Sequence, residues 1–448
     1  MSLFRAILAI LFPPLAVADK GCGSFIIVFI LTLFGWIPGV IAAHIILNKE
    51  YTQTMFNKET TEFIAANRDK EPSALALQAK RYPGVDMREA VTQIEGWQTA
   101  KHKLPTWAKT EGIIYPPRIS MEQCSSEATA LYKTGIAKGN RLADLTGGFG
   151  IDCSYMSREF QEVVYIERNA MLCDIAKENF ALLGLGHIDI INGNSEEVLP
   201  TLQKQEWIFI DPARRDGDGR KVVALGDCEP DVTVLEEALL EKADKVMIKC
   251  SPMLDITAAT RELRNIEAVH IIAVNNECKE LLFILGKEKC EETPIKCVNI
   301  RNEEQETFTF TATEETNATV TYSNTIGRYL YEPNAAIQKG GSFRTLSQRL
   351  LISKLHPNSQ LYTSDKLVGE FPGRIFEVER VFGFSKADIK QLQKLKKANM
   401  TVRNFPENVQ VLRKKLKLAE GGDEYLFATT LYNGTKALVL CNRCNISK

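Results

Sequence analysis

Histidine is scarce in this chain: five residues in 448, dispersed, so no His-rich metal cluster is visible. The eleven cysteines lack a repeated spacing, which argues against a disulfide framework and suits a reducing compartment. Their one close pair, Cys441 and Cys444 in "CNRC", has no second pair to complete a zinc site, and no metal is expected. Excess charge is missing as well. Fifty-five basic residues face 56 acidic ones, which excludes a generally basic nucleic-acid coat but not a local basic patch. At this length the chain can build two or three domains around at least one large core.

Charge is missing altogether from residues 24–47, "SFIIVFILTLFGWIPGVIAAHIIL". As a helix this run rises about 36 Å, enough to cross a hydrocarbon core of about 30 Å. The preceding run, Leu3–Ala18, is shorter, carries Arg5 and is interrupted by Pro13 and Pro14. Its basic start and "AVA" end also fit a signal peptide. A hairpin turning at "DKGCG" is the preferred reading, because a second apolar run follows within six residues. "LFPPLAV", "GCG" and "LTLFGWIPGVIAAHII" resemble the small two-helix proteolipids that include the plasma-membrane potential modulators. That resemblance implies a membrane hairpin over residues 1–50 and no chemistry. The rest of the chain is then expected on the cytoplasmic face.

Residues 51–110 turn polar, with apolar positions at helical spacing in "SALALQAKRY" and "MREAVTQIEGWQTA", and read as a small helical domain. Short apolar strands then alternate with helices: "RLADL", "EVVYIE", "IDIIN", "EWIFID", "KVMIKC", "HIIAV" and "ELLFIL". Such alternation implies a doubly wound α/β domain over 111–290, with ligands beyond the carboxyl ends of the strands.

The first of those ends reads "LADLTGGFG". A phosphate-binding P-loop needs Lys-Ser/Thr after its glycines, and none follows. A dinucleotide fingerprint needs three glycines in G-x-G-x-x-G, and Gly147, Gly148 and Gly150 do not supply it. What remains is an acid, Asp144, two residues before a bend through Thr146 and the glycines. Asp144 can take an ammonium group, directly or through water. Glu167, closing the second strand, can accept both ribose hydroxyls of an adenosine, and Asn194, after the third, can meet the adenine edge. The constellation resembles the class I S-adenosylmethionine-dependent methyltransferases, which implies a Rossmann-like sheet of seven strands, the last antiparallel, and that cofactor. "IIYPPRISMEQCSSEATA", "DPARRD", "SPMLDI", "YLYEPNAAIQKGG" and "TVRNFP" further resemble bacterial methyltransferases with a ferredoxin-like insert, expected at 291–345, and a C-terminal THUMP-like domain, expected at 346–448. THUMP domains serve RNA-modifying enzymes, so the resemblance implies an RNA substrate.

The fourth strand ends in Asp211, Pro212, Ala213, Arg214 and Arg215. Amino-methylating relatives carry an aromatic residue here; its absence argues against exocyclic-amine chemistry. Asp211 can still hydrogen-bond a target base. Arg214 or Arg215 can clamp a phosphate or stack on a base, or else pair with the acidic loop Asp216–Asp218. RNA 5-methyluridine methyltransferases also carry arginine after Asp-Pro, and place a nucleophilic cysteine after strand five. Here Cys250 follows Lys249, which can depress a thiol pKa; the alternative is an inert core cysteine.

Residues 297–323 alternate as strands of a small α+β insert, and Glu332 and Asn334 in "YLYEPNAAI" face either the active site or a turn. Between Lys386 and Lys417 ten Lys or Arg residues meet two acids. Such a patch fits RNA phosphates, though Ile389, Leu392 and Leu395 also mark an ordinary solvated helix face. The expected protein is a membrane-tethered methyltransferase acting on an RNA base. The alternatives are a degenerate fold serving as an RNA- or protein-binding module, or a methyltransferase of a protein or small molecule.

Overall fold

The structure, a computed structural model, describes residues 11–17, 22–34, 56–214, 224–288, 290–302 and 304–444. The chain divides into two compact units, Met1–Ile208 and Phe209–Lys448.

In the first unit the N-terminal part contains the helix Cys22–Phe34. Among the described residues no helix is long and apolar enough to cross a membrane. The hairpin expected over 1–50 lies largely outside them, at residues 1–10, 18–21 and 35–50. The helical domain follows the expected spacing. Asn57 caps Lys58–Asn67 by accepting from the Thr60 N–H at 2.8 Å, and Asp86 caps Met87–Lys103 through the Glu89 N–H at 3.1 Å. Phe63, Leu75, Met87, Ala90 and Ile94 meet in one buried cluster. "SALALQAKRY" is less helical than its spacing suggests; only Pro72–Ala76 forms an α-turn before the chain breaks.

The loop "GIIYPP" is held by side-chain amides in place of a partner strand. The Gln93 amide exchanges two 2.8 Å hydrogen bonds with the backbone of Tyr115, and the Asn179 amide exchanges two more with Ile114 at 2.8 and 2.9 Å. This satisfies a buried segment that joins no sheet. Strands β1 (Arg141–Asp144), β2 (Glu162–Glu167) and β3 (Ile188–Asn192) pair in parallel, with Asp144 opposite Tyr165 and Glu167 opposite Asn192. Strand β4 (Gln205–Ile210) extends the order to β4-β1-β2-β3, and the division between the units falls inside it.

The second unit holds two sheets and a short hairpin. The hairpin pairs β5 (Ala213–Arg214) with β6 (Cys228–Glu229). In the first sheet, β7 (Ala243–Cys250), β8 (Ile266–Val274) and β9 (Glu277–Gly286) are the expected fifth, sixth and seventh strands, and β9 runs antiparallel to both neighbours. The sheet does not stop at seven strands. Strand β10 (Ile295–Arg301) joins β8 in parallel, and β11 (Glu304–Phe310) pairs antiparallel to β10 at the edge. These are the strands expected within an insert. Alternation marks a half-exposed strand such as β11, but it does not say which sheet that strand joins. "ATVTYS" forms no strand, only a bridge between Tyr322 and Lys354, and Ala312–Asn317 is helical behind a Thr311–Glu314 capping box.

The second sheet contains β12 (Tyr329–Pro333), β13 (Ser353–His356), β14 (Ser359–Ser364), β15 (Gly373–Phe382), β16 (Asn399–Arg403), β17 (Glu424–Thr430) and β18 (Lys436–Arg443). Their order is β13-β14-β12-β15-β18-β17-β16, with β16 and β17 parallel. The helices Lys386–Leu392 and Val409–Leu416 cover one face. Leu392, Leu412 and Leu416 are fully buried there against Leu426 and Leu438. The lysines of those helices are left on the outside.

Candidate active site

The bend after β1 shows why each glycine is required. A Cβ on Gly147 would lie 2.1 Å from the Tyr165 ring, and one on Gly150 would lie 2.7 Å from Phe180. Those two glycines serve internal packing, and Gly150 also adopts φ +83° to open the helix Ile151–Met156. Gly148 differs: at φ +56° its nearest neighbour to a Cβ is a backbone oxygen 3.8 Å away, so this is the bare stretch of the bend. Phe149 is turned inward, edge-on to Trp107 at 5.0 Å between ring centroids, and does not block it. Burying aromatic rings of this size stabilises by on the order of 2–3 kcal/mol each.

Glu167 faces the same bend. Its Oε2 accepts the Gly148 N–H at 2.8 Å and its Oε1 the Asn169 N–H at 2.7 Å. The carboxylate is thereby fixed, and each oxygen keeps lone pairs for further donors. Tyr165 donates its hydroxyl to the Gly148 carbonyl at 2.6 Å. Asp144 is buried and accepts the Thr146 N–H at 3.0 Å, so it shapes the turn from beneath. Asn194 caps the short helix Ser195–Val198 by accepting from the Glu196 N–H at 3.2 Å.

Two features of this unit were not legible in the sequence. Asn192, beside Glu167 in the parallel register, donates to the carbonyls of Glu167 at 2.9 Å and Arg168 at 3.1 Å, and fixes the loop that carries the carboxylate. Lys133 is fully buried with its Nζ 3.1 Å from Asp152, in the first turn of the helix that Gly150 opens; Ser125 donates to Asp152 at 2.7 Å. Only the pairing of Lys133 in "ATALYK" with an acid after the glycines hinted at this.

In the second unit, Asp211 directly follows β4, and the Lys249 Nζ lies 2.5 Å from its Oδ2. Lys249 is nearly buried and Asp211 about one-third exposed (9% and 35% of the side chains). Pro212 is buried beside it. Arg214 lies in β5 opposite Cys228, its side chain outside the described residues, as are Arg215 and the loop to residue 223. Cys250 ends β7 and is buried. Burial, then Asp211 and Cys228, push its thiol well above its ordinary pKa, and Lys249 offsets only part of that. The expected depression by Lys249 therefore does not occur: the ammonium is engaged by Asp211, and the thiol stays protonated at neutral pH. Asn334 caps the helix Ala335–Gly340 and also donates to Glu306 at 3.2 Å; Glu332 is buried between two arginines.

Comparison with known proteins accords with this architecture. Residues 329–372 match the family model of a ferredoxin-like domain, residues 373–443 that of a THUMP domain-like module, and residues 2–47 that of the proteolipid membrane potential modulators. A crystal structure from Porphyromonas gingivalis W83, assigned as a methyltransferase, superposes with a TM-score of 0.78 at 35% identity, covering 86% of this chain and 98% of that one. An uncharacterized RNA methyltransferase of Protochlamydia amoebophila is 26% identical over 155 residues, 32% of this chain; the chain spans only about a third (33%) of that relative. The N-terminal segment is similar to plasma membrane proteolipid 3 of Cryptococcus neoformans var. neoformans serotype D, 45% identical over 49 residues, which is 10% of this chain and 86% of that protein. The fold and these relatives define a methyltransferase. The chain belongs to the methyltransferase family with ferredoxin-like and THUMP-like C-terminal domains, and a proteolipid-like segment precedes that body.

The cofactor such a family implies, S-adenosylmethionine, fits the residues of the first unit. Gly148 leaves room for close approach, and Glu167 is a fixed two-oxygen acceptor suited to a vicinal diol. Asp144 supplies negative charge beneath the bend.

Proposed function

We propose that this protein transfers a methyl group from S-adenosylmethionine to a base in RNA, and that its first 50 residues tether it to a membrane. The observation that carries the reading is the Glu167 carboxylate, fixed by the N–H groups of Gly148 and Asn169 beside the least crowded glycine of the bend. Bound there, the cofactor supplies an electrophilic methyl on a sulfonium. Glu167 would hold the ribose, the bend from Thr146 to Gly150 would accommodate the amino-acid end, and Asn194 would orient the adenine.

On the acceptor side, Asp211 is oriented by Lys249 and hydrogen-bonds the target base, with the buried Pro212 beside it. The protonated state of Cys250 favours direct transfer over a covalent enzyme–base adduct. RNA is supported by three features: the THUMP domain-like match over 373–443, the Protochlamydia relative, and the basic segment 386–417. Lys386, Lys390, Lys394, Lys396, Lys397, Lys414 and Lys417 of that segment are all exposed. The tether is supported by the proteolipid match over residues 2–47.

Calorimetry on the full chain in detergent tests the donor site. Wild type should bind S-adenosylmethionine, and Glu167→Ala should weaken binding about tenfold or more, the value of hydrogen bonds to a charged group. Wild type that binds no cofactor would overturn the enzyme reading in favour of a binding module. Transfer of labelled methyl to RNA extracted from a strain lacking the gene tests the acceptor. Label appearing in protein or in small molecules, but not in RNA, would refute that part.

A further inference from the structure

We propose that Arg374 and Arg403, held by the buried carboxylate of Glu332, form a clamp for the phosphodiester backbone of RNA. This rests on the RNA reading above and names side chains that would grip the substrate.

The three residues come from distant stretches, "YLYEP", "GRIFEV" and "TVRNFP", brought together in the second sheet. Glu332 on β12 is the register partner of Arg374 on β15, and Arg403 ends β16. Arg374 donates from Nε to Glu332 Oε2 at 2.8 Å and again from Nη2; Arg403 donates from Nη2 to Oε1 at 2.8 Å. The Glu332 side chain is 3% exposed, so both its oxygens are spent inside the protein.

Charge decides what this cluster is for. One guanidinium neutralises a buried carboxylate; two leave a surplus of one positive charge. Neither arginine has a second carboxylate within ion-pair distance among the described residues. Both still reach solvent, with side-chain exposures of 30% and 41%. Arg403 is also fixed from behind, its Nη1 donating to the Val402 carbonyl at 3.2 Å, and Arg374 lies over the Phe376 ring at 5.6 Å. Two pre-ordered guanidinium groups with one net positive charge match a singly charged phosphodiester through the N–H groups not spent on Glu332 and Val402, because little side-chain freedom remains to be lost on binding. A staple joining the ferredoxin-like stretch to the THUMP-like stretch would need only one of the two arginines. The exposed lysines that precede β16 and follow it extend the same chemistry to neighbouring phosphates.

The test is fluorescence anisotropy of the full chain in detergent, with a labelled 20-nucleotide single-stranded RNA and a 20-base-pair RNA duplex, from 50 to 300 mM KCl. Arg374→Gln and Arg403→Gln should each weaken binding about tenfold at 100 mM salt. Each should also reduce the slope of log K against log salt by about 0.7 on the single strand and about 0.9 on the duplex. The double variant Arg374→Lys/Arg403→Lys should keep the slope but lose affinity, since lysine keeps the charge without the fork. S-adenosylmethionine binding serves as the check on folding and should not move. If the glutamine variants fail to fold, the lysine variant decides, and unchanged RNA affinity in it overturns the clamp. Folded glutamine variants with wild-type affinity and slope would leave RNA binding intact and reduce the cluster to a staple. Wild type that binds the cofactor but neither RNA would sink the clamp and the RNA reading together.

Discussion

At the scale of single residues, identity and placement separate cleanly. Asp144, Glu167 and Asp211 can be placed at or just beyond strand ends from the sequence, because short apolar runs precede each carboxylate. Their partners are not legible: Lys249 on Asp211 and Lys133 on Asp152 come from segments 38 and 19 residues away, and only packing brings them together. Cys250 shows the cost of reading a neighbour without its geometry. The adjacent lysine promises a reactive thiol, yet its charge goes to Asp211. Cys250→Ser should therefore retain methyl transfer within about threefold, and denaturing gels should show no enzyme–RNA adduct; a hundredfold loss in a folded variant would restore the nucleophile. Asp211→Asn should cost stability as well as activity, because it leaves the nearly buried Lys249 short of a counter-charge. A loss of about 1–3 kcal/mol is expected once the partial exposure of Asp211 is allowed for, readable by urea unfolding.

At the scale of elements, strand and helix types follow from the sequence, but partners and ends do not. Strand β11 carries the alternation of a half-exposed strand, whereas β10 is buried from Cys297 to Ile300 and had no alternation to find. Nothing local says that β10 joins β8 and that β11 then joins β10. The glycine bend is informative in a different way, since its three glycines are distinguishable only through what surrounds them. Gly147→Ala must displace the Tyr165 ring and should cost about 1–3 kcal/mol of stability. Gly148→Ala meets only an ordinary contact with the Thr146 carbonyl and should cost about 1 kcal/mol from its positive φ. Thermal melts of the two variants should keep that order. Strand β8 carries a pH dependence: burial and Lys296 hold His270 down to about 4 from its ordinary 6.5. Between those values the unfolded chain binds more protons than the folded one, so stability falls as pH drops from 6.5 to 4 and levels off below. His270→Leu should flatten that fall by up to about 3 kcal/mol in unfolding titrations.

At the scale of the whole molecule, a proteolipid-like segment precedes a methyltransferase body, and the two ask different things of their surroundings. The described helix Cys22–Phe34 has 13 residues and rises about 20 Å, short of the roughly 30 Å of a hydrocarbon core. The proposed tether therefore rests on the uncharged composition of 24–47 and not on the described helix alone. Exposed Leu11, Phe12, Leu15, Ile26, Ile27, Phe29 and Ile30 within so short a stretch have no aqueous justification and suit a lipid environment. The full chain should sediment with membranes and remain there through washes in high salt and alkaline carbonate, which strip proteins held only by charge. The body alone, residues 51–448, should move to the supernatant and bind S-adenosylmethionine as tightly as the full chain, because the Gly148–Glu167 site draws on nothing before residue 144 for its own hydrogen bonds. A body that stays on membranes without its first 50 residues would place the attachment elsewhere, most directly on the lysine-rich face of 386–417, and salt extraction would then release it.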